Sequence, residues 1–208
     1  MAVIVVANPK GGVGKSTLST NLAGYFAASG AWVALADLDQ QQSAHDWLQA
    51  RPATLPVIEA WRLDPGAPAK PPGGFEQSVI DTPAGLHGAH LTVALALADK
   101  VIVPLQPSLF DILATQAFLQ RLAQEKAVRK GAVDVAVVGM RVDARTRSAE
   151  QLHRFAEGLA LPVLGYLRDT QNYVQLAAQG LTLWDVAPGR VAKDLEQWQP
   201  IIEWASQR

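Results

Sequence analysis

Short apolar runs alternate along this chain with longer segments whose apolar residues recur at helical spacing. Uninterrupted apolar runs are typical of parallel strands that are buried on both faces. The predicted strands are Val3–Val6, Trp32–Ala36, Val57–Trp61, Ser78–Ile80, Val101–Pro104, Val133–Val138 and Pro162–Tyr166. The predicted helices are Lys15–Ala28, Ser43–Ala50, Ala89–Ala98, Leu109–Val128, Ser148–Gly158 and Tyr173–Gln179. This alternation predicts an α/β fold with a mostly parallel, twisted sheet of about seven strands and helices on both faces.

A further helical pattern covers the end of the chain, from about residue 191 to residue 206. The apolar residues that share one face of it are Leu195, Trp198, Ile202 and Ala205. We expect Pro200 to kink or split this helix, because proline lacks the N–H that the helix needs. Proline and glycine are dense in Asp64–Gly74, which is predicted to be a surface loop.

The composition is that of a globular protein. The chain has 208 residues, 49% of them hydrophobic and 18% charged, so we expect a single domain that spans residues 1–208. Cysteine is absent from the sequence, which excludes disulfides, thiolate metal sites, iron–sulfur clusters and cysteine nucleophiles. We find no secretory signal and no run of roughly 20 apolar residues, so we expect a cytoplasmic protein without a membrane span.

A glycine-rich segment follows the first predicted strand and leads directly into a helical pattern. It consists of Lys10, Gly11, Gly12, Val13, Gly14, Lys15, Ser16 and Thr17. Glycines allow backbone N–H groups to surround phosphate oxygens, and the positive end of the helix dipole adds to the attraction. We expect Lys15 to neutralise the β and γ phosphates, Ser16 to place its hydroxyl on Mg2+ and Thr17 to reach the α phosphate. The segment therefore predicts binding of ATP with Mg2+.

The loop departs from the usual phosphate-binding pattern at Pro9, where a glycine is expected. From Lys10 onward it resembles the ParA/MinD family of P-loop ATPases, whose loop reads K-G-G-x-G-K-[ST], and every fixed position matches. In that family the early lysine crosses a dimer interface to the partner's nucleotide. The resemblance therefore implies that Lys10 and Lys15 both serve catalysis, and that ATP drives formation of a homodimer.

Two acidic segments extend the resemblance. Residues 37–41 (DLDQQ) are similar to the family's switch segment D-x-D-P-Q, and residues 81–85 (DTPAG) look like its second metal-binding stretch. The resemblance implies that Asp39 positions the attacking water, that Asp37 supports the magnesium shell and that Asp81 holds a magnesium-bound water. The roles of Asp37 and Asp39 could be exchanged.

The same acids also fit simple structural roles. Asp37 and Asp39 could cap the helix that begins at Ser43, and Asp81 could be a turn former at the end of a strand. Gln40 stands where the family has proline, which removes a φ restraint from the switch segment. We expect nucleotide binding to survive this change, whereas the hydrolysis rate is left open.

Less specific similarity continues to about Pro188. Val101–Asp111 resembles the strand and loop that follow the family's third motif. Residues 141–146 resemble the stretch beside the adenine, and residues 166–169 would approach the base from the other side. The resemblance thus implies that Arg141 and Arg168 lie near the nucleotide base.

Taken together, the resemblance implies an ATP-dependent switch for DNA segregation or for positioning an intracellular cargo. ATP would drive dimerisation and non-specific DNA binding on the nucleoid. Hydrolysis, slow until a ParB-like protein or a cargo adaptor stimulates it, would release the DNA. The chain begins at the strand before the P-loop, so it looks like the short type that binds DNA without sequence preference. Several cargoes remain open, among them a plasmid, a chromosome region, a chemoreceptor array and a carboxysome-like body.

DNA binding requires a local basic surface, because the net charge is −1. Two clusters are candidates. Arg190 and Lys193, at the start of the last helix, match the family's DNA-contacting region better than Arg145 and Arg147, which follow the sixth strand. Simple solvation of exposed basic side chains is the competing interpretation.

Two other functions are possible for this type of domain. A MinD-like membrane-cycling ATPase would need a basic amphipathic tail, whereas Glu196 and Glu203 lie beside Trp198 and Trp204 here. We therefore expect no membrane partner and interpret the tryptophans as core or interface residues. A metabolic P-loop ligase has a similar ATP-binding domain, but the sequence indicates no second substrate. His87 and His90 lack a third metal ligand and are predicted to be helix-surface residues.

Overall fold

A computed structural model describes residues 2–62 and 73–207 of the chain. Seven strands form one sheet, and all of its strand pairs are parallel. The strands are β1 Ala2–Val6, β2 Val33–Asp37, β3 Ile58–Trp61, β4 Gln77–Asp81, β5 Lys100–Leu105, β6 Asp134–Gly139 and β7 Val163–Tyr166. Their order across the sheet is β3-β2-β4-β1-β5-β6-β7. The predicted parallel α/β fold is confirmed.

Eight helices connect and cover these strands in the part of the chain that the structure describes. They are α1 Lys15–Ala28, α2 Ser43–Ala50, α3 Gly88–Leu97, α4 Leu109–Gln124, α5 Lys126–Arg129, α6 Arg147–Glu157, α7 Gln171–Ala177 and α8 Pro188–Ser206. A short 3-10 turn, Leu183–Asp185, precedes α8. The predicted bounds of α1 and α2 are confirmed, and the other helices and strands differ by a few residues at their ends.

The sheet divides the core into two apolar layers, as expected for strands buried on both faces. Alternate residues of β1 point into each layer: Val3 and Val5 pack with α3, α4 and α6, whereas Ile4 and Val6 pack with α1 and α8. The predicted helices on both faces are therefore confirmed. Trp198 is fully buried in the second layer, as predicted, and its indole N–H donates to the Tyr173 hydroxyl at 2.9 Å.

Two details of the sequence prediction are wrong, and a third concerns residues that mostly lie outside the described ones. The predicted helix Leu109–Val128 is two helices, because Glu125 adopts an extended conformation between α4 and α5. Pro200 does not split α8; the non-helical residue is Val191, with φ −125° and ψ 20°. Most of the predicted loop, residues 64–72, lies outside the described residues, and Gly73 and Gly74 form a turn.

The order of the strands creates a topological switch point at the carboxyl end of β1. Chain segments before β5 build the sheet to one side of β1, and β5, β6 and β7 build it to the other. In open parallel sheets, ligands bind outside the carboxyl ends of the strands at such a point. The loop that follows β1 lies there.

Candidate functional site

The glycine-rich loop connects the carboxyl end of β1 to α1. Gly12 and Gly14 have positive φ values of 74° and 97°, a backbone conformation that other residues rarely adopt. A Cβ atom on Gly14 would also lie 2.6 Å from Cε of Met140, the residue after β6. These positions therefore require glycine, and they hold the loop close to the carboxyl ends of the central strands.

The amino end of α1 is suited to an anion. Gly14 is its N-cap and provides no side chain to pair with the first helical N–H groups, and its first turn, Lys15–Leu18, carries no acidic residue. Unpaired N–H groups and the positive end of the helix dipole attract phosphate. Ser16 and Thr17 are half-buried in this turn, where both side chains can meet a ligand that sits in the loop.

Lys15 lies inside the loop. It is 7% exposed, and its Nζ donates to the Lys10 carbonyl oxygen at 2.8 Å. Burial lowers the pKa of Lys15, while the nearby carboxylates of Asp81 and Asp39 act in the opposite direction. The loop thus holds the positive charge that a phosphate site requires, and it holds this charge next to two acids.

Asp81 ends β4 at the centre of the site. It lies beside Val6 of β1 in register and opposite Asp37 of β2. Its side chain is almost fully buried, and the Ser19 hydroxyl donates to its Oδ1 at 3.1 Å. Burial raises the pKa of Asp81 to about 7, and Asp37 adds to the rise. Hydrogen bonds from Ser16 and Ser19 and the charge of Lys15 lower the pKa, but they do not outweigh burial. A bound cation would favour the ionised form of this carboxylate.

Among residues 2–62 and 73–207, no group of three or more His, Cys, Asp and Glu side chains could hold a metal ion. Magnesium that is bound with a nucleotide takes most of its oxygen ligands from phosphates and water. Ser16 and Asp81 are the protein groups whose chemistry suits that ion.

Asp37 combines its place in the site with a structural role. Its Oδ2 accepts hydrogen bonds from the backbone N–H groups of Ala44 and His45, at 2.8 and 3.2 Å, and its Oδ1 accepts from the Asp39 N–H at 2.9 Å. The carboxylate therefore caps the first turn of α2, which sequence analysis had weighed as an alternative. Its role toward magnesium stays a prediction.

Asp39 lies on the loop between β2 and α2, where it is half-buried. Its Oδ1 accepts from the Gln41 N–H at 3.0 Å. Together with Leu38, Gln40 and Gln41 it borders a cleft of about 540 Å³ whose other wall is Pro83–His87 and His90. His87 and His90 are exposed, at and just after the start of α3, which agrees with their predicted surface position.

The two arginines predicted near the base lie on adjacent segments. Arg141 follows β6, is exposed and has a positive φ of 52°. Arg168 follows β7, which pairs with β6. The guanidinium of Arg168 binds the fully buried carboxylate of Asp194 through Nε and Nη2, at 2.5 and 3.1 Å. Asn172 also donates to Asp194, at 2.6 Å, so Arg168 is anchored to α8.

The basic clusters are placed on opposite sides of the sheet. Arg190 and Lys193 are exposed at the start of α8, on either side of the non-helical Val191. Arg145 is paired with Asp143 at 2.9 Å, and Arg147 begins α6 and is exposed. Since part of the charge of the second cluster is neutralised by Asp143, the cluster on α8 is the stronger candidate for binding an anion.

Sequence analysis missed several polar residues that build the site. Asn8 is fully buried and contacts the loop, Gln106 donates to the Gly12 carbonyl at 2.8 Å, and Thr82 donates to the Val6 carbonyl at 2.8 Å. Ser19 lies one helical turn after Ser16, so helical periodicity could have placed it beside the same ligand. No local pattern indicates the contacts of Asn8 with Pro104 and Thr115 or that of Gln106 with Gly12, because these partners lie on distant segments.

The strand order and the loop define a P-loop nucleotide-binding fold, and comparison with known proteins agrees. The model of the CobQ/CobB/MinD/ParA nucleotide binding domain family matches residues 4–183. The chain belongs to this family.

Individual relatives and solved structures agree with the family assignment. The chain is 30% identical to maintenance of carboxysome distribution protein A from Gloeobacter kilaueensis over 87% of this chain and 83% of that protein. It is 31% identical to the chromosome-partitioning ATPase Soj from Thermus thermophilus, over 60% and 62% of the two chains. The fold resembles that of a putative plasmid partition protein from Borrelia burgdorferi B31 bound to AMPPNP. The TM-score is 0.72 at 17% identity, and the match covers 97% and 98% of the two chains.

The helices differ from membrane spans. Within residues 2–62 and 73–207, none combines the length and apolar composition that crossing a bilayer requires.

Asp81→Asn tests whether the buried carboxylate opposes folding. Because the pKa of Asp81 is raised, the folded protein is more stable when this carboxyl is protonated. That stabilisation is fully present below the ordinary aspartate pKa and is lost as the pH rises through about 7. Asparagine does not ionise. Without nucleotide and magnesium, we expect the variant to melt at least about 3 °C above the parent near pH 8 and by clearly less near pH 5, where only part of that stabilisation is lost. Calorimetry across this pH range measures both values, and an equal difference at both pH values would contradict the expectation.

Proposed function

We propose that this chain is an ATP-dependent switch that positions or segregates a cellular cargo. The observation that carries the proposal is the phosphate loop itself: a glycine-rich turn that holds Lys15 inside it, at the amino end of α1, beside the buried carboxylate of Asp81. Positive charge and free N–H groups suit phosphates, and the carboxylate suits their counter-ion.

In the proposed nucleotide site, residues 11–14 supply backbone N–H groups, and Lys15 neutralises the β and γ phosphates. Thr17 binds the α phosphate. Ser16 is a magnesium ligand, and Asp81 and Asp37 hold water molecules of the metal's shell. Asp39 orients the attacking water, which is the main contribution that a protein makes to phosphoryl transfer besides charge stabilisation. Arg141 and Arg168 lie on the side of the base.

Lys10 supports dimerisation as part of this proposal. It starts the loop and is half-buried, and its carbonyl oxygen already accepts the Lys15 ammonium. An ammonium at this edge of the loop could reach the phosphates of a nucleotide in a second copy of the chain. ATP would then join two copies, and hydrolysis would release them.

The relatives suggest what the switch acts on. Proteins named for carboxysome distribution, chromosome partitioning and plasmid partition all share this fold or family. We infer that the ATP-bound dimer of this chain binds DNA without sequence preference, chiefly through Arg190 and Lys193, and associates with the nucleoid in the cytoplasm. A partner protein, ParB-like or a cargo adaptor, would stimulate a slow basal hydrolysis.

A metabolic ligase is the second candidate, because the matching family also includes the CobQ and CobB types. The half-buried start of the loop at Lys10 favours the dimerising switch. A membrane-cycling role is less well supported, because the tryptophans of α8 face the core: Trp198 is buried and Trp204 is half-buried.

Lys15→Ala tests the nucleotide site. Removal of the ammonium that faces the phosphates should weaken ATP binding at least about 100-fold, since charge-assisted hydrogen bonds in a shielded site are among the strongest. Isothermal titration with Mg-ATP gives the affinity. Lys130→Ala, an exposed lysine after α5, is the matched control and should bind as the parent does. Parent-like affinity in Lys15→Ala would refute the P-loop assignment.

Lys10→Ala and Asp39→Ala separate dimerisation from hydrolysis. Lys10→Ala should bind ATP within about threefold of the parent but fail to dimerise, because the ammonium acts across the interface. Asp39→Ala should dimerise with ATP and remain dimeric, since no group orients the attacking water. Light scattering after addition of ATP, together with phosphate release, measures both. An ATP dimer of normal strength in Lys10→Ala would rule out the proposed role of the lysine.

The DNA surface is tested by reversing two charges. The double variant Arg190→Glu and Lys193→Glu, with ATP present, should bind every DNA sequence more weakly, and its salt slope should be shallower by about 0.9 for each phosphate that the protein no longer neutralises. The control is Arg129→Glu with Lys130→Glu, which makes the same charge change next to α4, on the other face of the sheet. Equal weakening in both variants would show a general charge effect. Unchanged binding by an intact ATP dimer would move the surface to Arg145 and Arg147.

A further inference from the structure

Asn8 is a fully buried polar residue directly before the phosphate loop. Its side-chain amide is completely engaged. Nδ2 donates to the carbonyl oxygen of Pro104 at 2.7 Å and to Oγ1 of Thr115 at 2.9 Å, and Oδ1 accepts the backbone N–H of Lys10 at 2.9 Å. One side chain therefore joins Lys10 to the end of β5 and to the middle of α4.

The partners of Asn8 belong to rigid parts of the molecule. Pro104 is in β5, which pairs with β1 and β6, and Thr115 is fully buried on α4. The third partner, the backbone N–H of Lys10, belongs to the loop that follows β1 and not to a strand or helix. The three hydrogen bonds fix the position of the Lys10 backbone relative to β5 and α4, and with it the direction in which the Lys10 side chain extends.

The opposite side of the same segment is held separately. The Pro9 carbonyl accepts the N–H of Gly85 at 2.7 Å, which ties the segment to the loop after β4. Residues 8–10 are thus fastened between that loop and α4, and within residues 2–62 and 73–207 the Lys10 N–H is bound by Asn8 alone.

We propose that Asn8 is a positioning residue for Lys10: it fixes the start of the loop so that the lysine ammonium can reach the nucleotide of a second copy. This inference rests on the proposed dimerising function of Lys10. Asn8 itself touches neither nucleotide nor partner in this proposal, and acts through the Lys10 backbone. Its removal should therefore weaken the ATP dimer while the binding of ATP to one copy, which depends on Lys15 and the glycine turn, changes little.

Three variants resolve the contacts of Asn8. Asn8→Ala removes all three hydrogen bonds. Asn8→Ser keeps an oxygen that can accept an N–H two residues later, but is too short to reach α4. Thr115→Val keeps the shape of the α4 contact and removes a single hydrogen bond, so it is the variant that best preserves folding if the alanine variant is unstable.

The experiment compares ATP affinity, the dimer dissociation constant with ATP, and melting temperature for the three variants and the parent, with Lys10→Ala as the reference for a lost dimer. We expect Asn8→Ala to weaken the dimer at least about tenfold, with ATP affinity within about threefold of the parent. Asn8→Ser should recover part of the dimer affinity.

Three outcomes would overturn the inference. A loss of ATP affinity in Asn8→Ala as large as its loss of dimer affinity would mean that Asn8 supports the whole loop rather than Lys10. A parent-like dimer in Asn8→Ala and Thr115→Val, with Lys10→Ala unable to dimerise, would refute the positioning role and leave the proposed function intact. A parent-like dimer in Lys10→Ala would refute the proposed function and this inference together.

Discussion

The buried carboxylate of Asp81 is the constraint on which the site depends. It ends the strand beside β1, so a negative charge is fixed next to the loop that holds Lys15. The hydroxyl groups of Ser16 and Ser19 and the ammonium of Lys15 stabilise that charge, but they leave the pKa of Asp81 raised. The molecule therefore keeps an incompletely stabilised acid in its interior. Such a group is better explained by the chemistry of a bound cation and phosphate than by stability, because a neutral residue would fold more favourably there.

The parallel sheet explains why the remaining polar groups meet at this place. Asp37 and Asp81 are register partners on adjacent strands, although they lie far apart in the chain. Thr82 and Asn8 use the same edge, each with a hydrogen bond to a neighbouring segment. Parallel pairing brings the carboxyl ends of all strands to the same side of the sheet. Short polar stretches that follow different strands therefore form one site, although they lie far apart in the sequence.

Much of the fold was predictable because most strands are short, apolar and followed by a helical period. The phosphate loop and the helix that it starts were found from the glycines and the two lysines that flank them. The misses have physical causes. Pro200 lies in a helix whose buried face, with Trp198 and Ile202, is held by the core and outweighs the absence of one hydrogen bond. The contacts of Asn8 with Pro104 and Thr115 depend on tertiary neighbours, which propensity and spacing do not report.

The ion pair of Arg168 and Asp194 links the loop after β7 to α8. Asp194 is a buried acid on α8, and the Arg168 guanidinium and the Asn172 amide both donate to it. The backbone N–H of Arg168 also donates to Oε1 of Gln197, one helical turn further along α8, at 2.9 Å. These hydrogen bonds tie the loop after β7 to the helix that carries Lys193. A ligand that shifts the loop would therefore either move this helix with it or separate the Asp194 carboxylate from Arg168.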